Sequence, residues 1–76
     1  MKENWQRYKD EANHLLVSDR EGKTVAIIEL GWEGYRDVIF DSIMSLAEKF
    51  GWKIVVRDIF RRVLCEFDYT GGAGGN

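Results

Sequence analysis

Proline is absent from the 76-residue chain, and cysteine and histidine occur once each. The missing proline says nothing specific. The single cysteine, Cys65, excludes an internal disulfide framework. With His14 as the lone histidine, no paired Cys or Cys/His spacing for zinc exists. Every apolar run is interrupted by charge before it reaches the length of a membrane span. Neither sign of charge dominates. Eleven Lys and Arg against 13 Asp and Glu leave a net charge of −2, so neither half reads as a nucleic-acid tail or an acidic mimic. Met1-Lys2-Glu3-Asn4-Trp5 also lacks the apolar core of a secretory signal. The expectation is a soluble, cytoplasmic chain with no membrane association.

What the chain does carry is apolar and aromatic bulk. Its 45% apolar content is far above that of a disordered chain. A domain below roughly 80 residues seldom draws enough stability from one core without a staple. Here that staple is neither a disulfide nor an evident metal, which leaves aromatic packing or self-association. Three Trp, three Tyr and four Phe are hard to enclose in so short a chain, since each ring buries about 150–250 Å². Some rings are therefore expected to be exposed or covered by a partner.

Residues 2–13 place Trp5, Tyr8 and Ala12 on one face of a short helix. His14 to Ser18 and Lys23 to Leu30 are apolar runs around the turn cluster Asp19-Arg20-Glu21-Gly22, which reads as a β-hairpin. The second run is apolar on both faces and predicts a central, doubly covered strand. Arg36 to Phe50 is a helix, with Ile39, Ile43, Leu46, Ala47 and Phe50 on its apolar stripe and Gly51 at its end. Over Trp52 to Tyr69 an apolar pair recurs every four residues, a helical rhythm. The density of β-branched residues favours two strands instead, roughly 53–58 and 62–69. No internal repeat is apparent. The outline is α-ββ-α-ββ: an α+β two-layer sandwich in residues 1–69, its four-stranded, mostly antiparallel sheet carrying the 36–50 helix on one face. The opposite face is the expected place for surplus aromatics. Residues 70–76 form a flexible Gly-rich tail.

Candidate chemistry is sparse. His14 and Cys65 are the only nucleophile–base combination, and no Gly-rich nucleophile turn surrounds the cysteine. Glu29, Glu33, Asp37 and Asp41 are spaced by four, but the first two precede the helix, and acids at a helix start suit the dipole alone. Gly31-Trp32-Glu33-Gly34-Tyr35 lacks the Lys and Ser/Thr of a phosphate-cradling loop and reads as a core staple or a recognition loop. Trp52 and Phe60 with Arg57, Arg61 and Arg62 interleave rings and guanidiniums as single-stranded nucleic-acid binders do. The net charge opposes that reading. The strand, helix and glycine-tail outline resembles ubiquitin-like carriers. In that resemblance the terminal diglycine is activated, and Asn76 would first be removed.

The leading expectation is a non-enzymatic protein–protein interaction module of inhibitor or adaptor type, without cofactor or metal. It would present an aromatic face of Trp32, Tyr35 and Trp52 rimmed by Arg57, Arg61 and Arg62, and would form a homodimer. Single-stranded nucleic-acid binding and a processed carrier are the alternatives.

Overall fold

The computed structural model describes residues 8, 10–31 and 33–71, the side chain of Glu33 excepted. The β-branched runs form four strands: β1 (His14–Ser18), β2 (Thr24–Glu29), β3 (Lys53–Arg57) and β4 (Val63–Asp68). The helix α1 (Arg36–Phe50) is entered through a 3₁₀ turn at Glu33–Tyr35. The sheet order is β2-β1-β3-β4, and every neighbouring pair is antiparallel. Residues 53–69 are thus two strands, as β-branching predicted. Their four-residue rhythm arises because a turn at 58–62 separates two apolar runs. The N-terminal helix expected over 2–13 lies largely outside the described residues. Within them, the Glu11 and Ala12 N–H groups bond the Tyr8 carbonyl and Ala12 is buried.

The core lies between α1 and one face of the sheet. Leu15 and Val17 of β1 pair with Val56 and Ile54 of β3, and all four side chains are fully enclosed. Phe67 of β4 packs edge-on against Phe40 of α1, with ring centroids 5.4 Å apart. Phe40, Met44 and Ala47 are the buried residues of the helix, with Ile39 and Ile43 half-buried beside them. The stripe expected from sequence is therefore rotated. Leu46 and Phe50 sit on its exposed flank, because apolar positions wrap more of α1 than one sheet can cover.

Two further expectations are corrected. β2 is an edge strand, and its outward residues Val25 and Ile27 are exposed. Its two-sided apolar character had suggested a central place, which β1 and β3 occupy. The sheet face away from the helix does not collect the aromatics. By strand alternation it carries His14, Leu16 and Ser18 of β1, Lys53, Val55 and Arg57 of β3, and no Phe, Tyr or Trp among its described positions. Most rings of the described residues sit in the core or at its margins, with Phe60 the most exposed exception. Phe50 stacks on Trp52 at 5.5 Å, and the Tyr69 hydroxyl donates to Glu48 Oε2 of α1 at 3.2 Å.

The structure also reveals a repeat that the sequence hides. The hairpin β1–β2 and the hairpin β3–β4 are the same object thirty-nine residues apart, from Asp19 to Asp58. In each, a five-residue turn joins the strands, and one residue of the second strand is bulged out, Val25 in one and Leu64 in the other. The Leu30 N–H donates to the Asn13 carbonyl as the Tyr69 N–H does to that of Trp52. Antiparallel pairing of β1 with β3 relates the two hairpins by a pseudo-two-fold axis through the Leu16–Val55 pair. Only two positions, Val17/Val56 and Asp19/Asp58, are identical between the copies. The repeat is kept by side-chain class and turn chemistry.

Gly51 ends α1 in the left-handed region at φ 76°, its N–H bonded to the Ala47 carbonyl at 2.8 Å. A Cβ there would meet the Arg20 guanidinium of the first turn. Gly51→Ala is expected to lower the unfolding free energy by about 1–2 kcal/mol from the backbone conformation. Urea denaturation should show this as a lower midpoint at unchanged slope.

Candidate functional site

Both hairpin turns are built by one aspartate. In the first, the Asp19 N–H donates to the Lys23 carbonyl and the Gly22 N–H to the Asp19 carbonyl. The N–H groups of Glu21 and Lys23 both donate to Asp19 Oδ1 at 2.9 Å. In the second, the Asp58 N–H donates to the Arg62 carbonyl and the Arg61 N–H to the Asp58 carbonyl. The N–H groups of Phe60 and Arg62 donate to Asp58 Oδ1 at 2.8 and 2.9 Å. The fourth residue of each is left-handed, Gly22 at φ 86° and Arg61 at φ 69°. An aspartate that accepts from its own turn, followed by a left-handed residue, is a standard way to close a hairpin with a bulge.

On this shared scaffold the two turns carry opposite chemistry. The tip of the first is Arg20-Glu21, charged and solvated. The tip of the second is Ile59-Phe60, and these are 69% and 72% exposed, the two most exposed large apolar side chains among the described residues. Arg62 lies over the Phe60 ring at 5.2 Å and bonds Asp58 Oδ2 through Nε at 3.0 Å. The tip forms one wall of an open cleft of about 480 Å³. Asp10 and Glu11 line another wall, and Arg36, its Nε bonded to the Leu30 carbonyl, completes it from the start of α1. The lining thus combines the acids Asp10, Glu11 and Asp58 with the bases Arg36 and Arg62 and the apolar Ile59 and Phe60.

The residues singled out from sequence are divided by this geometry. Arg57, Arg61 and Arg62 lie at the end of the sandwich that holds the second turn, and the half-buried Tyr35 enters α1 at that same end. Trp52 lies at the other, where the fifteen-residue α1 stops and β3 begins, and it packs on Phe50 and the core. Trp52 and Phe60 are thus separated by the full length of β3 and do not flank one groove. Trp32 and the tail residues 72–76, on which the carrier reading depends, lie outside the described residues. Ile59 was missed, although its signal was present. Two large apolar residues inside a turn opened by Asp contradict turn chemistry unless something covers them.

His14 and Cys65 do not form a pair. His14 is buried at 2% exposure on the face away from α1, where Arg61 Nη1 donates to its Nε2 at 3.3 Å. Cys65 pairs with the core residue Val56, on the other side of the sheet and two strands away. Burial, and then Glu66, push the Cys65 thiol up, which disfavours the thiolate. Burial and the Arg61 and Arg57 charges push the His14 imidazole down, against the opposing pull of Glu29. No group of three His, Cys, Asp or Glu side chains converges as a metal site among the described residues. No helix among them is long and apolar enough to cross a membrane. Comparison with protein-family models, with curated proteins and with solved structures finds no match to this chain.

Asp58 provides a test of how the second turn is held. The Arg62 N–H bond outweighs desolvation and, with the Phe60 N–H and the Arg62 guanidinium, holds its carboxyl below the usual carboxylate range. The folded turn prefers the ionised form, so the stabilisation is present above about pH 4 and disappears as pH falls through the lower folded value. Asp58→Asn is expected to melt below the wild type at neutral pH, with the gap closing in acid. Thermal melts followed by circular dichroism across that range check it, and a gap that stays constant with pH would contradict the assignment.

Proposed function

We propose that the chain is a small, non-enzymatic interaction module of adaptor or inhibitor type that docks on protein through the Ile59–Phe60 tip and the cleft beside it. One observation carries this reading. Two turns with the same hydrogen bonds and the same backbone differ in that one presents Arg-Glu to water and the other Ile-Phe. Since the backbone does not require apolar residues at the tip, a contact outside the chain is the physical reason for them. Exposed aromatic and aliphatic anchors flanked by Arg are the composition of protein-binding hot spots. The aromatic face of the earlier expectation is thereby narrowed to one ring, Phe60, with Ile59 and Arg62 beside it.

A second copy is the partner that the charges favour. In a two-fold arrangement each tip would enter the other cleft, and Arg62 of one protomer would meet Asp10 and Glu11 of its partner. Isologous contacts of this kind need a self-complementary surface, and a cleft lined by acid, base and apolar side chains together is one. A reducing, cytoplasmic setting suits the lone half-buried thiol.

Sedimentation equilibrium is the direct test. The wild type is expected to self-associate and Phe60→Asp to remain monomeric, while Glu21→Asp, at the matching position of the other turn, behaves as wild type. A photo-crosslinking residue at position 60 should give adducts where the same residue at position 21 gives none. Equal crosslinking from both turns, or none from either, would remove the tip as the contact.

A further inference from the structure

Three departures from ordinary packing meet on the sheet face away from α1, where β1 begins and β3 ends. His14 is polar and enclosed. Arg57, its partner across the strands, has a buried Nε with no hydrogen-bond partner among the described residues. Arg61 adopts a left-handed backbone that its counterpart Gly22 takes up freely, and its guanidinium reaches His14. A buried unpaired donor and a strained non-glycine residue are each costly, and such costs gather where a ligand repays them.

We propose that His14, Arg57 and Arg61 form a binding site for a phosphate group. The charges fit. Neither Arg57 nor Arg61 has a carboxylate within ion-pair distance among the described residues, whereas Arg62 and Lys53 are paired with Asp58 and Glu66. Among the described residues, Glu29, opposite His14 on β2, is the one acidic group that acts on the ring, leaving two guanidiniums against one carboxylate. The geometry fits as well. Donors come from two elements, Arg57 from β3 and Arg61 from the turn that follows it, and a tetrahedral oxyanion has oxygens for both. A single planar carboxylate is usually gripped side-on by one guanidinium. Guanidinium groups only donate, so the His14 Nε2 that meets Arg61 is the acceptor and the ring proton sits on Nδ1. A dianion drawing both guanidiniums toward itself would favour a second ring proton. The pseudo-symmetric position has Ser18, Gly22 and Lys53 in place of Arg57, Arg61 and His14, so the site exists at one end only.

The test is a heteronuclear NMR titration of the full chain with sodium phosphate at constant ionic strength, against sodium chloride. Saturable shifts are expected at the His14 ring and at Arg57 Nε, and the titration midpoint of the ring should rise in phosphate. Arg57→Gln should weaken binding about tenfold or more, as loss of a charge-assisted donor does. Arg61→Gly should weaken it similarly while melting at or above the wild-type temperature, since glycine relieves the backbone. That opposition of binding and stability separates a ligand-holding arginine from a structural one, and it holds even if Arg57→Gln folds poorly. Glu29→Gln should tighten binding by about twofold or more. Glycerol 2-phosphate separates the sources. Binding equal to that of inorganic phosphate supports a site for phosphate esters, and clear preference for the inorganic ion supports a free-ion site. Shifts that never saturate, that chloride reproduces, or that survive Arg61→Gly would overturn the proposal.

Discussion

One carboxylate per hairpin sets the geometry on which everything else in this molecule depends. Asp19 and Asp58 each gather two backbone N–H groups onto a single oxygen, which fixes a five-residue turn and forces one residue of the returning strand into a bulge. Strand register follows from that. In a sheet with side-chain period two, a slip of one residue would turn Phe67 and Ile28 away from the helix and Glu66 and Ile27 toward it. The turn thereby decides which residues make the core, even though the core supplies most of the stability.

The pseudo-two-fold arrangement gives the fold economy in its central strands. Leu15, Val17, Ile54 and Val56 form a self-complementary apolar patch across the axis, and α1 closes it with Phe40, Met44 and Ala47. Helix α1 covers one face of the four strands. The other face is dressed with Lys53, Glu66, His14, Arg57 and Glu29 around a thin apolar centre at Leu16 and Val55. Charge on and beside a sheet face discourages indiscriminate sheet pairing. Among the described residues, Arg57 and Arg61 have no carboxylate within ion-pair distance.

Symmetry in the backbone with asymmetry in the side chains is where function enters. Equivalent turns need equivalent aspartates and a left-handed fourth residue, and both have them. Nothing in the turn requires Ile59, Phe60 or an arginine at position 61. These three choices, together with the histidine at position 14, depart from what the hairpin alone would select. They all lie at one end of the molecule, Ile59 and Phe60 lining the cleft and Arg61 reaching His14. Such local conflict with folding rules, confined to one region, is the ordinary signature of a surface kept for something other than stability.

Sequence by itself determined the element types and the fold class. The apolar arc and Gly51 marked α1, β-branching outvoted a helical rhythm over residues 53–69, and Asp with Gly announced the first turn. It did not reveal that Asp58 builds the same turn. The left-handed position there is filled by arginine, and the tip is apolar, so the usual Gly and polar cues are missing. Nor did it place Trp52 and Phe60 at opposite ends of β3, or Cys65 and His14 on opposite faces of the sheet. Those are matters of register and strand order, set by contacts between residues far apart in the chain. Local spacing reports which face a side chain takes relative to its neighbours. Only packing decides what that face meets.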